Sequence, residues 1–374
     1  MGIVIAILIF TAVVVFHELG HFALAKKSGV IVNEFCAGMG PKLISYVKDN
    51  NGKRHIFFFK WKPDFFETKE YEGRTVYSLK LFPIGGACMM KGELEEEGKD
   101  LSKGSFNAAS VWQRIAIVAA GPIFNFILAY LLSMIIVGFA GYDSNKIAEN
   151  GVFEGYPLQE AGLQAGDEIV KYNGSNIHSI RELSLHLQLH PITEEPVMIT
   201  YRRDGKKNTV EVIPRLDEES GQYKIGISTA TVREKTNILG ILRYSGREVR
   251  FWIVSTVESL AQMIKGRVKA DDIAGPVGIV NMIGTTYNEG KKISPISAFL
   301  SMINISILLS ANLGVMNLLP IPALDGGRLV FLVIEAIRRK PMDQSKEGFI
   351  HMIGFVALMA LMVFILYNDI RKLI

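Results

Sequence analysis

The chain has 374 residues, of which 49% are hydrophobic and only 21% charged, and 41 basic against 37 acidic residues leave a net charge of +4. Its mean hydropathy is +0.25. A soluble protein of this size has about 25% charged residues and no long uncharged runs, so a simple water-soluble globule is excluded. No basic block stands out, which removes nucleic acid as the natural partner. Cys36 and Cys88, without CxxC spacing, are too few for a disulfide scaffold and read as structural thiols.

Crossing a bilayer as a helix takes about 20 apolar residues. Residues 2–16 are uncharged and run into His17-Glu18-Leu19-Gly20-His21 before the apolar run ends at Ala25. With no basic n-region and no small-residue cleavage pattern, residues 1–27 read as a first span rather than a signal peptide. The next segment, 28–111, contains strand-like runs at 55–61 and 76–81. Glycine and proline interruptions at 37–41 and 82–87 predict hairpins with close backbone approach. Residues 93–100 form an acidic, solvated stretch. A second span occupies 112–142, with residues 115–140 wholly uncharged.

Residues 143–233 read as a compact α+β unit. A helix is predicted over 179–189, with Ile180, Leu183 and Leu187 on one face. Strands at 197–202 and 209–213 flank the turn Arg203-Asp204-Gly205-Lys206-Lys207. Residues 234–292 read as an amphipathic membrane-surface region, in which 238–264 mixes apolar residues with Arg243, Arg247, Arg250 and Trp252. The third span, 293–340, is interrupted by Pro320 and Pro322, and the fourth, 341–374, is apolar over 349–367. Lys26-Lys27 and Arg338-Arg339-Lys340 assign those ends to the cytoplasm. Both termini and the 143–233 unit are then expected outside, with segment 28–111 on the cytoplasmic side. The fold class is therefore a polytopic α-helical membrane protein of four spans, with a β-hairpin region and one extracytoplasmic α+β domain.

His17-Glu18-Leu19-Gly20-His21 fits H-E-x-x-H. At 3.6 residues per turn the two histidines share one helix face, stacked a turn apart. Two imidazoles so placed can hold zinc, with Glu18 as general base toward water. Ionisable residues inside a span cost several kcal/mol unless they pair or serve a function, and a buried metal supplies the reason for three polar groups ending this run. Zinc needs a third protein ligand to leave one position open. The candidate is Asp325, in Asn317-Leu318-Leu319-Pro320-Ile321-Pro322-Ala323-Leu324-Asp325-Gly326-Gly327. Two prolines remove two amide donors and break the helix. Broken helix at membrane depth is tolerated where it is buried in protein or lines a cavity. The plain alternative is an interfacial loop in which Asp325 only caps a turn.

An HExxH in the first span, an N-x-x-P-x-P-x-L-D-G run in a late span and a PDZ-like unit between them resemble the site-2 protease family of intramembrane zinc metalloproteases, most of all its bacterial anti-sigma-factor regulators. The resemblance covers nearly the whole chain. It implies Zn2+ on His17, His21 and Asp325, Glu18 as catalytic base, and Asn317 as a contact to substrate or to the polarised carbonyl. Gly121-Pro122-Ile123-Phe124-Asn125 and Gly275-Pro276-Val277-Gly278-Ile279 match further family elements. Gly121 reads as close helix packing, and Asn125 as either packing or a substrate-facing polar group.

Ala161-Gly162-Leu163-Gln164-Ala165-Gly166-Asp167-Glu168-Ile169 looks like the A-G-L-x-x-G-D-x-I run of bacterial PDZ domains, with a turn at Gly166-Asp167 and Ile169 in the core. Such a unit binds peptide by strand addition, or serves as a spacer that excludes bulky substrates. The hairpin near 81–91 is expected beside the metal, either offering an edge to an unwound substrate or walling the site from lipid. The resemblance implies a plasma-membrane endopeptidase whose active site lies toward the cytoplasm. Its partners would be the bilayer and single-pass proteins such as pre-trimmed anti-sigma factors or signal-peptide remnants. A non-catalytic PDZ scaffold and a metal-dependent transporter are the competing readings.

Overall fold

The computed structural model describes residues 2–59, 70–93, 101–218, 220–267, 274–340 and 342–372. The end of the strand expected over 55–61 and nearly all of the acidic stretch 93–100 lie outside the described residues. In chain order the first elements are α1 (Gly2–Lys27), β1 (Val32–Lys48), β2 (Arg54–Phe58), β3 (Val76–Met90) and α2 (Val111–Ala140). Then come β4 (Tyr142–Asp143), α3 (Pro157–Glu160), β5 (Glu168–Tyr172), β6 (Ser175–Asn176), α4 (Ile180–Leu189), β7 (Val197–Arg203) and β8 (Lys206–Val212). They are followed by β9 (Arg215–Asp217), β10 (Gln222–Lys224), β11 (Arg233–Glu234) and α5 (Ile238–Ile264). The chain closes with α6 (Pro276–Ile293), α7 (Pro295–Leu318), α8 (Asp325–Arg338) and α9 (Gln344–Arg371). They divide into two compact units, Met1–Leu132 with Val268–Ile374, and Ser133–Arg267.

In the first unit, α1, α2, α7 and α9 are long and apolar enough to cross a membrane. α1 stops where Ser28 and Gly29 turn the chain, with Gly29 at φ +77°. Ala6, Ile283 and Ile305 form a core between α1, α6 and α7. The backbone of Gly2 passes so near Gly284 that a Cβ at Gly2 would lie 2.7 Å from the Gly284 Cα. The stretch expected as one surface region, 234–292, is therefore divided. α5 falls in the second unit, while α6 packs among the apolar helices of the first, its N-terminal amides at Gly275 and Gly278 held by the Asp369 carboxylate at 3.0 and 2.9 Å.

The sheet of this unit has the order β2-β1-β3. β1 bends at Gly38 and Gly40, both with φ near +87° (87° and 86°), and β3 bends at Pro83-Ile84-Gly85. These bends let one stretch of β1 serve two stretches of β3. Glu34 to Ala37 pair with Met89 to Gly86 and also lie opposite Val76 to Leu79, while Ile44 to Tyr46 pair with Leu79 to Tyr77. β3 runs along α1: Thr11 Oγ1 donates to the Pro83 carbonyl, and Gly86 packs on Val15 and Glu18.

The second unit is built around the sheet β6-β5-β7-β8 and the helix α4. Ser179 caps α4 by accepting from Glu182 N–H, and Glu182 reaches back to accept from His178 N–H, a reciprocal cap. Asp204 (φ 49°) and Gly205 (φ 79°) make the two-residue turn that joins β7 to β8. Ile169, Ile180, Leu183, Ile199 and Ile225 are buried together in its core. Asp167, at the turn before β5, accepts from Arg203 Nε at 2.7 Å and from Arg203 Nη2 at 2.6 Å, and also caps Gln164 N–H. Replacing Asp167 by alanine removes the carboxylate from Arg203 and leaves its Nη2 only the Gly162 carbonyl at 2.8 Å. The expected result is a less stable unit, because the Gln164 cap and the Arg203 pair are lost together, measurable as faster amide exchange along β5 and β7 of the full chain.

Candidate metal centre

α1 places His17 and His21 one turn apart on the same face, rings edge to face with centroids 4.8 Å apart. Both are buried. Their Nε2 atoms lie 3.1 Å from each other. Asp325 Oδ2 lies 3.1 Å from His17 Nε2 and 3.4 Å from His21 Nε2. One ligand atom from each of the three falls within 4.8 Å of the others.

α2 holds the outer edge of both rings. His21 Nδ1–H donates to the Ile117 carbonyl at 2.9 Å, a partner that can only accept, so Nδ1 carries a proton and the neutral ring has its lone pair on Nε2. The Asn125 amide stands 3.1 Å from His17 Nδ1. In the neutral ring a lone pair and a carboxylate oxygen face one another, an arrangement that a proton or a metal cation between them makes attractive. Asp325 Oδ2 is buried, and the two imidazoles are its polar neighbours. Two imidazole nitrogens and one carboxylate oxygen form a donor set that suits zinc with one position left open.

Room for the rings comes from two glycines. A Cβ on Gly20 would strike the Ala120 carbonyl of α2, and a Cβ on Gly121 would strike His21 Nε2 and come within 2.7 Å of His17 Cε1. Gly121 thus does more than pack helices, because its missing side chain is the space the imidazoles occupy. Glu18, next along α1, turns toward β3. A Cβ on Gly86 would sit 3.4 Å from its Cγ.

Asp325 owes its place to the break after α7. Pro320 and Pro322 end the helical ladder, and Ala323 adopts φ +78°, a left-handed conformation costing an alanine about 1 kcal/mol. The Ala323 N–H donates to His351 Nδ1 of α9 at 2.8 Å. Gly326 and Gly327 allow α8 to start against this turn, since a Cβ on either would strike the carbonyls of Leu319 or Ile321. α8 is then tied down by Glu335, which takes Arg114 of α2 at 3.2 and 2.6 Å, and by an ion pair from Arg328 to Glu93. Sequence reading missed Ile117, His351, Arg114, Glu335 and Arg328. The one available signal was charge placed next to apolar spans. Asn317 is half-buried on the last turn of α7. Asn125 is fully buried rather than open to the outside.

A second cluster, Asp49, His55 and Glu70, also brings possible ligands together. There His55 Nε2 already pairs with Asp49 Oδ2 at 2.8 Å, and Asp49 Oδ1 caps Lys53 N–H, so this is a closed ion pair at a hairpin turn. The geometry around Gly121 yields a direct test. Gly121→Ala is expected to lower zinc content per chain severely, read by elemental analysis, while circular dichroism of the helices stays unchanged.

Comparison with known proteins places this geometry. The chain matches peptidase family M50 over residues 5–61 and 55–361. It is 36% identical over 372 residues to a Clostridium acetobutylicum protein provisionally named a zinc metalloprotease, covering 99% of this chain and 97% of that one. It is 32% identical to the zinc metalloprotease RasP of Bacillus licheniformis over the whole of both chains. It is 29% identical to the regulator of sigma-W protease RasP of Bacillus subtilis, over 98% of this chain and 97% of that one. A solved PDZ domain of an SdrC-like protein from Listeria monocytogenes is 22% identical over 24% of this chain and 88% of that one, with a TM-score of 0.20. The family is the one that the HExxH and N-x-x-P-x-P-x-L-D-G motifs resemble, and the chain belongs to peptidase family M50.

Proposed function

We propose that this peptidase cleaves the transmembrane segments of single-pass proteins inside the membrane, at the centre formed by His17, His21 and Asp325. The observation that carries the reading is the position of that centre, buried between two helices long and apolar enough to cross a bilayer, with Glu18 beside it. Zinc is the metal, and when bound it supplies Lewis acidity toward a carbonyl oxygen and toward water. His17, His21 and Asp325 hold it. Glu18 takes a proton from the attacking water and later delivers it to the leaving amine nitrogen.

Peptide bonds in a transmembrane helix are shielded by their own hydrogen bonds, so a substrate has to unwind before attack. The Gly86–Met90 stretch of β3 pairs on one side with β1, among the described residues no strand covers its other edge, and Gly86 packs on Glu18 and Val15 of α1. An unwound substrate could extend this edge. Met39, Leu81, Phe82 and Ile84 around the bends are exposed apolar residues, as suits a sheet that enters lipid. Asn317, at the end of α7, would contact the substrate or steady the polarised carbonyl.

By the basic clusters Lys26-Lys27 and Arg338-Arg339-Lys340, the site lies toward the cytoplasmic side, with both termini and the PDZ-like unit outside. That unit either binds a peptide or screens out substrates with bulky external domains. The name of the Bacillus subtilis relative supports anti-sigma factors as substrates, and trimmed signal-peptide remnants share their single-span form. The test is co-expression of a single-pass substrate with wild type and with Glu18→Gln at equal abundance. The variant should retain zinc yet cleave at least about 100-fold more slowly, the usual contribution of a positioned general base. Equal cleavage by both would assign the activity to another enzyme.

A further inference from the structure

Asn125 lies in the middle of α2, fully buried. Its Nδ2 is 3.1 Å from His17 Nδ1, and its Oδ1 is buried without a hydrogen-bond partner. Its own backbone carbonyl accepts from Ser310 Oγ of α7 at 2.7 Å, which fixes this turn of α2 in place.

His17 turns Nε2 toward Asp325 and His21. A neutral imidazole carries one N–H and one lone pair. Nε2 can offer its lone pair to a metal only while Nδ1 keeps the proton, and a protonated Nδ1 in a buried setting needs an acceptor. An amide NH2 directed at Nδ1 would demand the opposite tautomer, with the proton on Nε2 and aimed into the cluster. The oxygen and nitrogen of an amide fill the same shape, so the protonation of its neighbour decides which of them faces the ring. His21 follows the same rule with the Ile117 carbonyl as its acceptor.

We infer that Asn125 is a positioning residue for the metal ligand His17. Its Oδ1 accepts from the His17 Nδ1–H and holds the imidazole in the tautomer and ring angle that leave Nε2 free for the metal. The inference rests on the metal-site reading above, and it assigns Asn125 to ligand orientation instead of substrate contact. Removing such a partner of a ligating histidine typically weakens metal affinity by about 10–100-fold.

The experiment is zinc competition against a chromophoric chelator, using the full chain in detergent, alongside thermal melting of the metal-free protein. Asn125→Leu should weaken zinc binding by about 10–100-fold. The metal-free variant should stay folded and melt only modestly below wild type, because leucine leaves one buried imidazole N–H without its acceptor but also removes a half-satisfied amide. Asn125→Asp keeps an acceptor at the same reach and should bind zinc at close to the wild-type level. Packing alone predicts the reverse order, with leucine tolerated and the buried carboxylate not. The inference is overturned if Asn125→Leu binds zinc as tightly as wild type, if its zinc loss merely follows a loss of metal-free stability, or if Asn125→Asp is as weak as Asn125→Leu. Should Asn125→Asp fail to fold, the leucine variant decides alone. His17→Ala separates the two layers: unchanged zinc affinity there would overturn the metal-site reading itself, and the inference with it.

Discussion

Ionisable groups inside a bundle of apolar helices have to be shielded from lipid and given partners, and the close approach of α2 to α1 meets that demand here. It occurs where neither helix has a side chain in the way. Gly20 lies on the Ala120 carbonyl, and Gly121 lies over both imidazoles. At that distance the α2 backbone can supply the Ile117 carbonyl to His21, and the Asn125 side chain can reach His17. Without such partners each buried polar group would cost on the order of 1–3 kcal/mol. The same turn of α2 continues to α7, where Phe126 fills the space above Gly314 and the Asn125 carbonyl receives Ser310. One glycine-lined contact thus positions two candidate ligands and braces the helix that leads to the third candidate.

The third candidate ligand, Asp325, depends on a different device. A continuous helix would carry the chain past Asp325 with its direction set by α7 alone. Pro320 and Pro322 stop it, Ala323 turns it through a left-handed conformation, and His351 accepts the amide that this turn would otherwise leave unpaired. α8 then starts afresh, and its direction is set by two ion pairs, Arg114 with Glu335 and Arg328 with Glu93. The strain at Ala323 is local and small, whereas the ties on α8 are charge-assisted and reach α2 and the segment after β3. A carboxylate has to hold its angle toward two imidazoles to within tenths of an ångström, and anchoring from both ends serves that need.

The bent sheet brings a second element to the candidate site. Because β1 and β3 each fold back on themselves, the glycine-containing stretch of β3 reaches the helix that carries Glu18. In the second unit the Asp167–Arg203 pair and the Ser179–Glu182 cap hold a self-contained core that owes nothing to apolar spans.

The apolar helices, the HExxH face, the proline break and the core of the α+β unit were legible in the sequence, because each depends on local periodicity, on the missing amide of proline or on residue spacing. Ser179 caps its helix and Asp204-Gly205 turns its hairpin where the residue types require them. The surface region expected over 234–292 did not survive as one piece. α6 has apolar and basic residues much as α5 does, and only its packing on Ile305 and Ala6 shows that it belongs with the apolar helices. Nor could spacing show that Gly121 clears the imidazoles, that Asn125 faces His17, or that His351 closes the break from 28 residues away. Residue order alone determined which groups could ligate a metal and on which helix face they stand. Which lone pairs meet, and which buried amide decides the tautomer, is a matter of contacts more than 100 residues apart in the chain, and only the tertiary structure decided it.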